Sequence, residues 1–188
     1  MHTVFVDLDE TLISRTSSRI ELVELLKEIG FLKSAIKIIK VKPKSRAAIK
    51  IELTKLQPDI NYTKYYESGV IQLLLHLKSD GVKIIVATGA MESTAKNVIS
   101  EYPVQIDEII SSSIDYRNKG IKKLKSINDW LKRNNQEGFI YIGDAVIDFS
   151  IMKKAQRSYL VGGYMKYLIG KHLLSIKNLS YIKRDNGK

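Results

Sequence analysis

The chain reads as an α/β fold, a three-layer sandwich built on a central parallel sheet, and three observations predict it. Short apolar runs rich in Val, Ile and Phe alternate with stretches of helical periodicity. Strands that alternate with helices imply a parallel sheet covered on both faces. Three of the runs end in polar residues suited to chemistry: Asp7 and Asp9, Thr88 and Gly89, Gly143 and Asp144. Open α/β sheets bind ligands at the carboxyl ends of their strands, so these endings predict a site on one edge of the sheet.

Taken in order, strands are expected at 3–7, 82–88, 106–110, 139–143 and 158–161. Helices are expected at 70–78, 94–102, 121–134 and 149–155. Val70, Leu73, Leu74 and Leu77 fall at helical spacing, and Asp80-Gly81 is a stop before the second strand. Trp130 and His76 both read as packing residues rather than ligands. Residues 14–68 break the alternation. Ile20, Leu22, Val23, Leu25 and Leu26 outline one helix ending near Gly30, and 31–39 and 45–56 suggest two more, separated at Lys42-Pro43. The expected organisation is one unit over 1–188, with a core of 1–13 and 69–188 and a small all-helical insert, 14–68, after the first strand.

Composition narrows the class. The 188 residues suffice for a substantial core, and the absence of cysteine removes disulfides and thiol chemistry. The chain opens on a strand rather than a leader, and no apolar run approaches the length of a bilayer span. The expected location is the cytoplasm, with peripheral contact to a membrane left open. Thirty-one Lys and Arg against 20 Asp and Glu give a net charge of +11. Residues 33–55 hold Lys33, Lys37, Lys40, Lys42, Lys44, Arg46, Lys50 and Lys55 against Glu52 alone, a net of +7. This stretch is either a solvated helix face or an electropositive surface for an anionic substrate or anionic lipid headgroups. Residues 162–188 interleave six basic residues with Tyr164, Met165, Tyr167, Leu168, Ile169, Leu173, Leu174 and Ile176. A helix packed on the core is expected there, with an amphipathic surface helix as the other reading. His2, His76 and His172 are isolated and form no metal-ligand set.

The chemistry concentrates in Val4-Phe5-Val6-Asp7-Leu8-Asp9-Glu10-Thr11. On an extended segment residues i and i+2 point the same way, so Asp7 and Asp9 emerge side by side at a strand end. One carboxylate can then act as nucleophile and the other as proton carrier, with a divalent cation offsetting the charge. The pair alone also fits an acidic turn. Thr88-Gly89, Asn118-Lys119-Gly120 and Gly143-Asp144 through Asp148 follow in fixed order and favour the chemical reading.

On these motifs the sequence resembles the haloacid dehalogenase superfamily of phosphatases and phosphotransferases. Within it, Ser45-Arg46-Ala47-Ala48-Ile49-Lys50, Val86-Ala87-Thr88-Gly89-Ala90 and Asn118-Lys119-Gly120 are similar to the hydrolase domain fused to membrane prenyltransferases of the ubiquinone-biosynthesis type. Two positions depart from the pattern: Glu10 stands where many members have Gly, and Ala145 where a polar or small residue is frequent. The resemblance implies a Rossmann-like sandwich in which the insert is a cap that excludes water and sets specificity.

The activity implied is Mg²⁺-dependent phosphomonoester hydrolysis through an aspartyl-phosphate. Asp7 is the expected nucleophile and Asp9 the acid–base, its backbone carbonyl also a metal ligand. Thr88 and the Gly89 amide hold phosphoryl oxygens, Lys119 neutralises charge, and Asp144 completes the oxygen ligands of Mg²⁺. Asp148 orients Asp144, a metal-bound water or Lys119. Arg15, Arg46 and Lys50 are the expected cap contacts to substrate, a phosphorylated small molecule or a lipid-linked phosphate. A phosphotransferase, a nucleic-acid 3′-phosphatase and a non-catalytic adaptor binding a partner or membrane stand as alternatives. The sequence lacks a basic platform interleaved with aromatics for single strands, which ranks nucleic acid lower.

Overall fold

Side-chain alternation decides which layer each strand contacts. In a computed structural model of the protein, which describes residues 3–29, 60–113 and 115–184, six strands form one parallel sheet. They are β1 (Thr3–Val6), β2 (Lys83–Met91), β3 (Glu108–Ser112), β4 (Ile140–Gly143), β5 (Arg157–Val161) and β6 (Leu179–Ile182). Their spatial order is β3-β2-β1-β4-β5-β6. The chain runs outward from β1 to β3, then returns to the other side of β1 for β4. That reversal opens a crevice at the carboxyl ends of β1, β2 and β4.

Every residue of β1 is buried, as expected of a central parallel strand. Val4 and Val6 face one way with Ile84 and Val86, against α2 (Ser68–Ser79) and α3 (Glu92–Ile99). Phe5 faces the other way with Ile85, Ala87 and Tyr141, against α4 (Ile121–Arg133) and the short α5 (Phe149–Met152). Phe5 meets Trp130 edge-on at 5.5 Å and Phe139 at 5.6 Å, contacts worth about 0.5–1.5 kcal/mol each beyond burial. Trp130 is thus the packing residue expected. His76 is not: its side chain is 74% exposed and lies 3.9 Å from Asp80. The buried stripe of α2 is Val70, Leu74 and Leu77, and position 76 falls off it.

The expected strands match to within one residue except at β3 and β2, where the larger shifts have local reasons. β3 starts two residues late because Asp107 is committed elsewhere, its carboxylate accepting from the Ile84 amide at 2.7 Å and pairing with Lys78 at 2.7 Å. β2 runs on to Met91, whose pairing with Ser112 resumes after an irregularity past Ala87. The tail also differs. Instead of one helix it forms α6 (Tyr164–Leu168), a wide π-type turn over Ile169–Leu173, and the edge strand β6 paired along β5. Ile176 and Leu179 enter the core, whereas Met165 and Leu173 stay exposed.

The insert leaves and rejoins the core through a paired neck. The Ser14 amide donates to the Tyr65 carbonyl at 2.8 Å, the Glu67 amide to the Leu12 carbonyl at 3.0 Å, and Ile13 lies antiparallel to Tyr66. Its first helix, α1 (Ser17–Ile29), buries Ile20 and Leu25 and docks on α3, where the Thr94 hydroxyl donates to the Glu21 carboxylate at 2.9 Å. The helices expected at 31–39 and 45–56, with Lys33, Lys37, Lys40, Arg46 and Lys50, lie outside the described residues. Among the described residues, no helix is long and apolar enough to cross a membrane.

Candidate active site

β1 delivers Asp7 to the crevice. Its amide continues the sheet ladder to the Ile142 carbonyl at 2.9 Å, and one carboxylate oxygen accepts from the Leu8 amide at 2.8 Å. The chain then turns sharply, with the amides of Thr11, Leu12 and Ile13 all donating to the Leu8 carbonyl. Glu10 takes a positive φ of 58°, the conformation for which glycine is favoured. The turn brings Asp7 and Asp9 to one cleft of about 260 Å³, shared with Gly89, Lys119, Lys123 and Asp144. The other oxygen that matters is on Asp9, whose carboxylate accepts from the Ser17 amide at 2.6 Å. A helix N-terminus with unpaired amides is a natural seat for an anion.

The cation against Asp7 is Lys123, not Lys119. The Lys123 ammonium lies 2.9 Å from Asp7 and 3.1 Å from Asp148, with only 2% of its side chain exposed. The Tyr141 hydroxyl donates to Asp148 at 2.8 Å and sits 3.2 Å from the ammonium. Burial acts to lower the Lys123 pKa, but the carboxylates of Asp7 and Asp148 outweigh it and hold the ammonium above its ordinary range. Burial and the Asp7 charge raise the Asp148 pKa, against the pull of Lys123 and Tyr141. Lys119, one helical turn earlier, is exposed at the rim of the same cleft. Asp148, at the end of the 3₁₀ turn Val146–Asp148, accordingly meets Lys123 and Tyr141 rather than Asp144 or Lys119.

Thr88 is fully buried, and its hydroxyl accepts from the Ala90 amide at 3.0 Å. Gly89 faces the cleft beside it. This strand end is clamped by Asn118, whose side-chain amide donates to the carbonyls of Thr88 at 3.2 Å and Ile110 at 2.9 Å. The Asn118 amide donates to Ser112, whose hydroxyl donates in turn to the Gly89 carbonyl at 3.0 Å. Arg15 is exposed and its guanidinium stands over the Tyr65 ring at 5.9 Å.

Asp144 ends β4 under a tight approach: a Cβ at Gly143 would sit 2.8 Å from the Tyr141 ring. Lys166 reaches the Asp144 carboxylate at 3.3 Å and its carbonyl at 3.1 Å, and Arg184 lies 3.9 Å away. Burial pushes the Asp144 pKa up to about 6, against the pull of Lys166 and with added repulsion from Asp7 and Glu10. Arg184 also donates to the Glu10 carbonyl and lies 3.5 Å from the Glu67 carboxylate.

The oxygen donors fit a hard cation. Asp7, Asp9 and Asp144 line one cleft, and oxygen-only sets that retain several waters suit Mg²⁺. Among the described residues, no three His, Cys, Asp or Glu side chains converge as a metal cluster.

Lys123, Asn118, Lys166 and Arg184 are the site residues that sequence reasoning missed. For Lys123 a signal existed: it precedes Ile127 by four positions and Trp130 by seven, so it falls on the buried stripe of α4. Asn118 lay inside a motif but had no evident partner. Lys166 and Arg184 reach the site only through tertiary packing.

No family model matches the chain. It is 30% identical over 164 residues, 86% of its length, to an uncharacterized protein of Sinorhizobium fredii, and spans 30% of that relative's length. A phosphoserine phosphohydrolase-like protein from Francisella tularensis superposes with a TM-score of 0.59 at 16% identity, covering 96% of this chain and 95% of that one. A phospho-aspartyl intermediate analogue of phosphoserine phosphatase superposes with a TM-score of 0.59 at 16% identity, covering 98% and 94%. Likeness of this order is likeness of fold.

Proposed function

We propose that this chain, which has the haloacid dehalogenase-like fold, is a phosphomonoester hydrolase that works through an aspartyl-phosphate on Asp7. The observation that supports the reading best is the buried Lys123 ammonium 2.9 Å from Asp7, in a cleft shared with Asp9 and Asp144. A carboxylate fixed at a strand end against a buried ammonium is prepared for in-line attack on phosphorus. Asp7 bonds to phosphorus as the ester oxygen leaves, and Asp9 gives that oxygen its proton. Asp9 then takes a proton from the water that attacks the Asp7-linked phosphorus, and inorganic phosphate departs. Acid–base assistance of this kind contributes about 10²–10⁴-fold.

Lys123 takes over the charge-neutralising role expected of Lys119 and also keeps Asp148 paired. Lys119, at the rim, is suited to meeting the incoming phosphate. The Gly89 amide completes the preorganised donors for phosphoryl oxygens, and buried Thr88, its carbonyl pinned by Asn118, holds that strand end in place rather than reaching the cleft. Mg²⁺ held by Asp7, Asp144 and the Asp9 carbonyl would supply further charge neutralisation at the phosphoryl group. Residues 14–68 act as the cap, hinged at the neck where Ser14 and Glu67 pair with Tyr65 and Leu12. Because Asp9 accepts from the first turn of α1, movement of the insert bears directly on the acid–base group.

Asp7→Asn tests the reading. It should abolish phosphate release from phosphomonoesters while the protein stays folded by circular dichroism. Beryllium fluoride with Mg²⁺ should form an acyl-phosphate mimic on Asp7 in the wild type, read by fluorine NMR, and none in the variant. A mimic on another residue, or turnover that survives the substitution, would overturn the mechanism.

A further inference from the structure

Beside the catalytic cleft lies a second, wider cavity of about 720 Å³ that the chemistry above does not use. Its floor is apolar. Ile121 is 79% exposed, Val146 50% and Ile147 51%, unusual for three branched aliphatic side chains in contiguous positions of a surface. Val146 and Ile147 stand between Asp144 and Asp148 in the chain, and both line the catalytic cleft as well. The two cavities also share Arg117 and Lys119. The shelf therefore begins where the phosphoryl site ends.

The shelf is built and not merely exposed. Gly120 has a φ of 57°, and a Cβ there would approach Ile147 to 3.0 Å, so the backbone of one wall is seated against the side chain of the floor. Asp148, the residue after Ile147, is anchored through Lys123 and Tyr141, which fixes the turn that presents the two aliphatics. Among the described residues, the charged ones around the shelf are Arg117, Lys119 and Lys122, with no carboxylate in the lining. An apolar floor under an all-cationic rim is complementary to an anionic amphiphile. Continuity with the cleft fixes its orientation, with the phosphate at Asp7 and the apolar part on the shelf.

We infer that the substrate is a phosphomonoester with an apolar leaving group, whose hydrocarbon portion lies on Ile121, Val146 and Ile147 once its phosphate is seated at Asp7. This rests on the phosphatase reading and specifies the leaving group it acts on.

The test uses binding, so that it does not depend on turnover. Ethyl, butyl, hexyl and octyl phosphate, each below its micellar concentration, are titrated by calorimetry into the Asp7→Asn protein with Mg²⁺. Burial of a methylene on one side predicts about twofold to threefold tighter binding for each added carbon. The slope should flatten when Ile121→Ser and Val146→Thr are added. The first changes a residue outside the core and the second keeps the side chain's shape, so both should fold, checked by thermal melting. Equal affinity along the series, a slope that survives the two substitutions, or no measurable binding of any alkyl phosphate would overturn the inference. So would loss on Ile121→Ser of self-association or of co-sedimentation with anionic vesicles while the slope remains, since the shelf would then serve a second copy or a membrane. The two readings fail separately. If phosphatase chemistry is wrong, the wild type releases phosphate from no ester whatever the binding slope. If only the leaving group is wrong, ethyl and octyl phosphate are hydrolysed with the same kcat/KM.

Discussion

Lys123 is the residue on which the site and its stability both turn. Removing it leaves Asp7 and Asp148 buried and uncompensated, a change that typically costs about 3–5 kcal/mol. Lys123→Met should therefore lower the urea midpoint sharply and abolish turnover even where the protein remains folded. Lys119→Met, at an exposed position, should stay within about 0.5 kcal/mol of wild type and affect mainly kcat/KM. The reverse order in turnover would return the neutralising role to Lys119. Asp144 gives a pH signature. Its folded pKa is raised to about 6 from an ordinary 3.8, so folding favours its neutral form. That contribution is present below about pH 4 and is lost as pH rises through about 6, with a ceiling of about 3 kcal/mol. In chelator, the melting temperature of wild type should fall relative to Asp144→Asn over that window, and Mg²⁺ should reverse the trend for wild type only. A flat difference in chelator would show that the Asp144 pKa is not raised, and a trend that Mg²⁺ leaves unchanged would separate Asp144 from metal binding. The acids of this site were legible in the sequence because each ends an apolar strand. Lys123 was not singled out because it sits in the run Lys122-Lys123-Leu124-Lys125, where composition suggests solvent and only the phase of the helix indicates burial.

At the scale of elements, α1 is the piece that joins the insert to the chemistry. Its first-turn amide holds Asp9, and its Glu21 is buried against Thr94 of α3. Thr94→Val removes the hydroxyl at constant shape and should cost about 1–3 kcal/mol. Hydrogen exchange should quicken in α1 more than in β1, and unchanged protection of α1 would show that the helix is held otherwise. Most elements were readable because period and length agree, as in α2, where Val70, Leu74 and Leu77 form the buried stripe. β6 was not. In Leu179-Ser180-Tyr181-Ile182 the alternation is short, and the aromatic and basic residues before it favour a helix. Only the free edge of β5 decides that this segment pairs as a strand.

At the scale of the molecule, parallel order was legible from alternation, and the position of the site followed from strand ends. The closing of that site was not legible, because it depends on contacts across the whole chain. Arg184 donates to the Glu10 carbonyl across 174 positions and reaches the Glu67 and Asp144 carboxylates from the same side. Glu10, held at positive φ, needs such an external hold more than a glycine would. This has a consequence for timing. On a ribosome the turn that carries both acids emerges long before the side chain that secures it, which follows β6. Contacts so distant in sequence form late. A chain made only as far as β4 thus carries the acids without the contacts that assemble their pocket, and those contacts arrive only after the last described strand of the sheet.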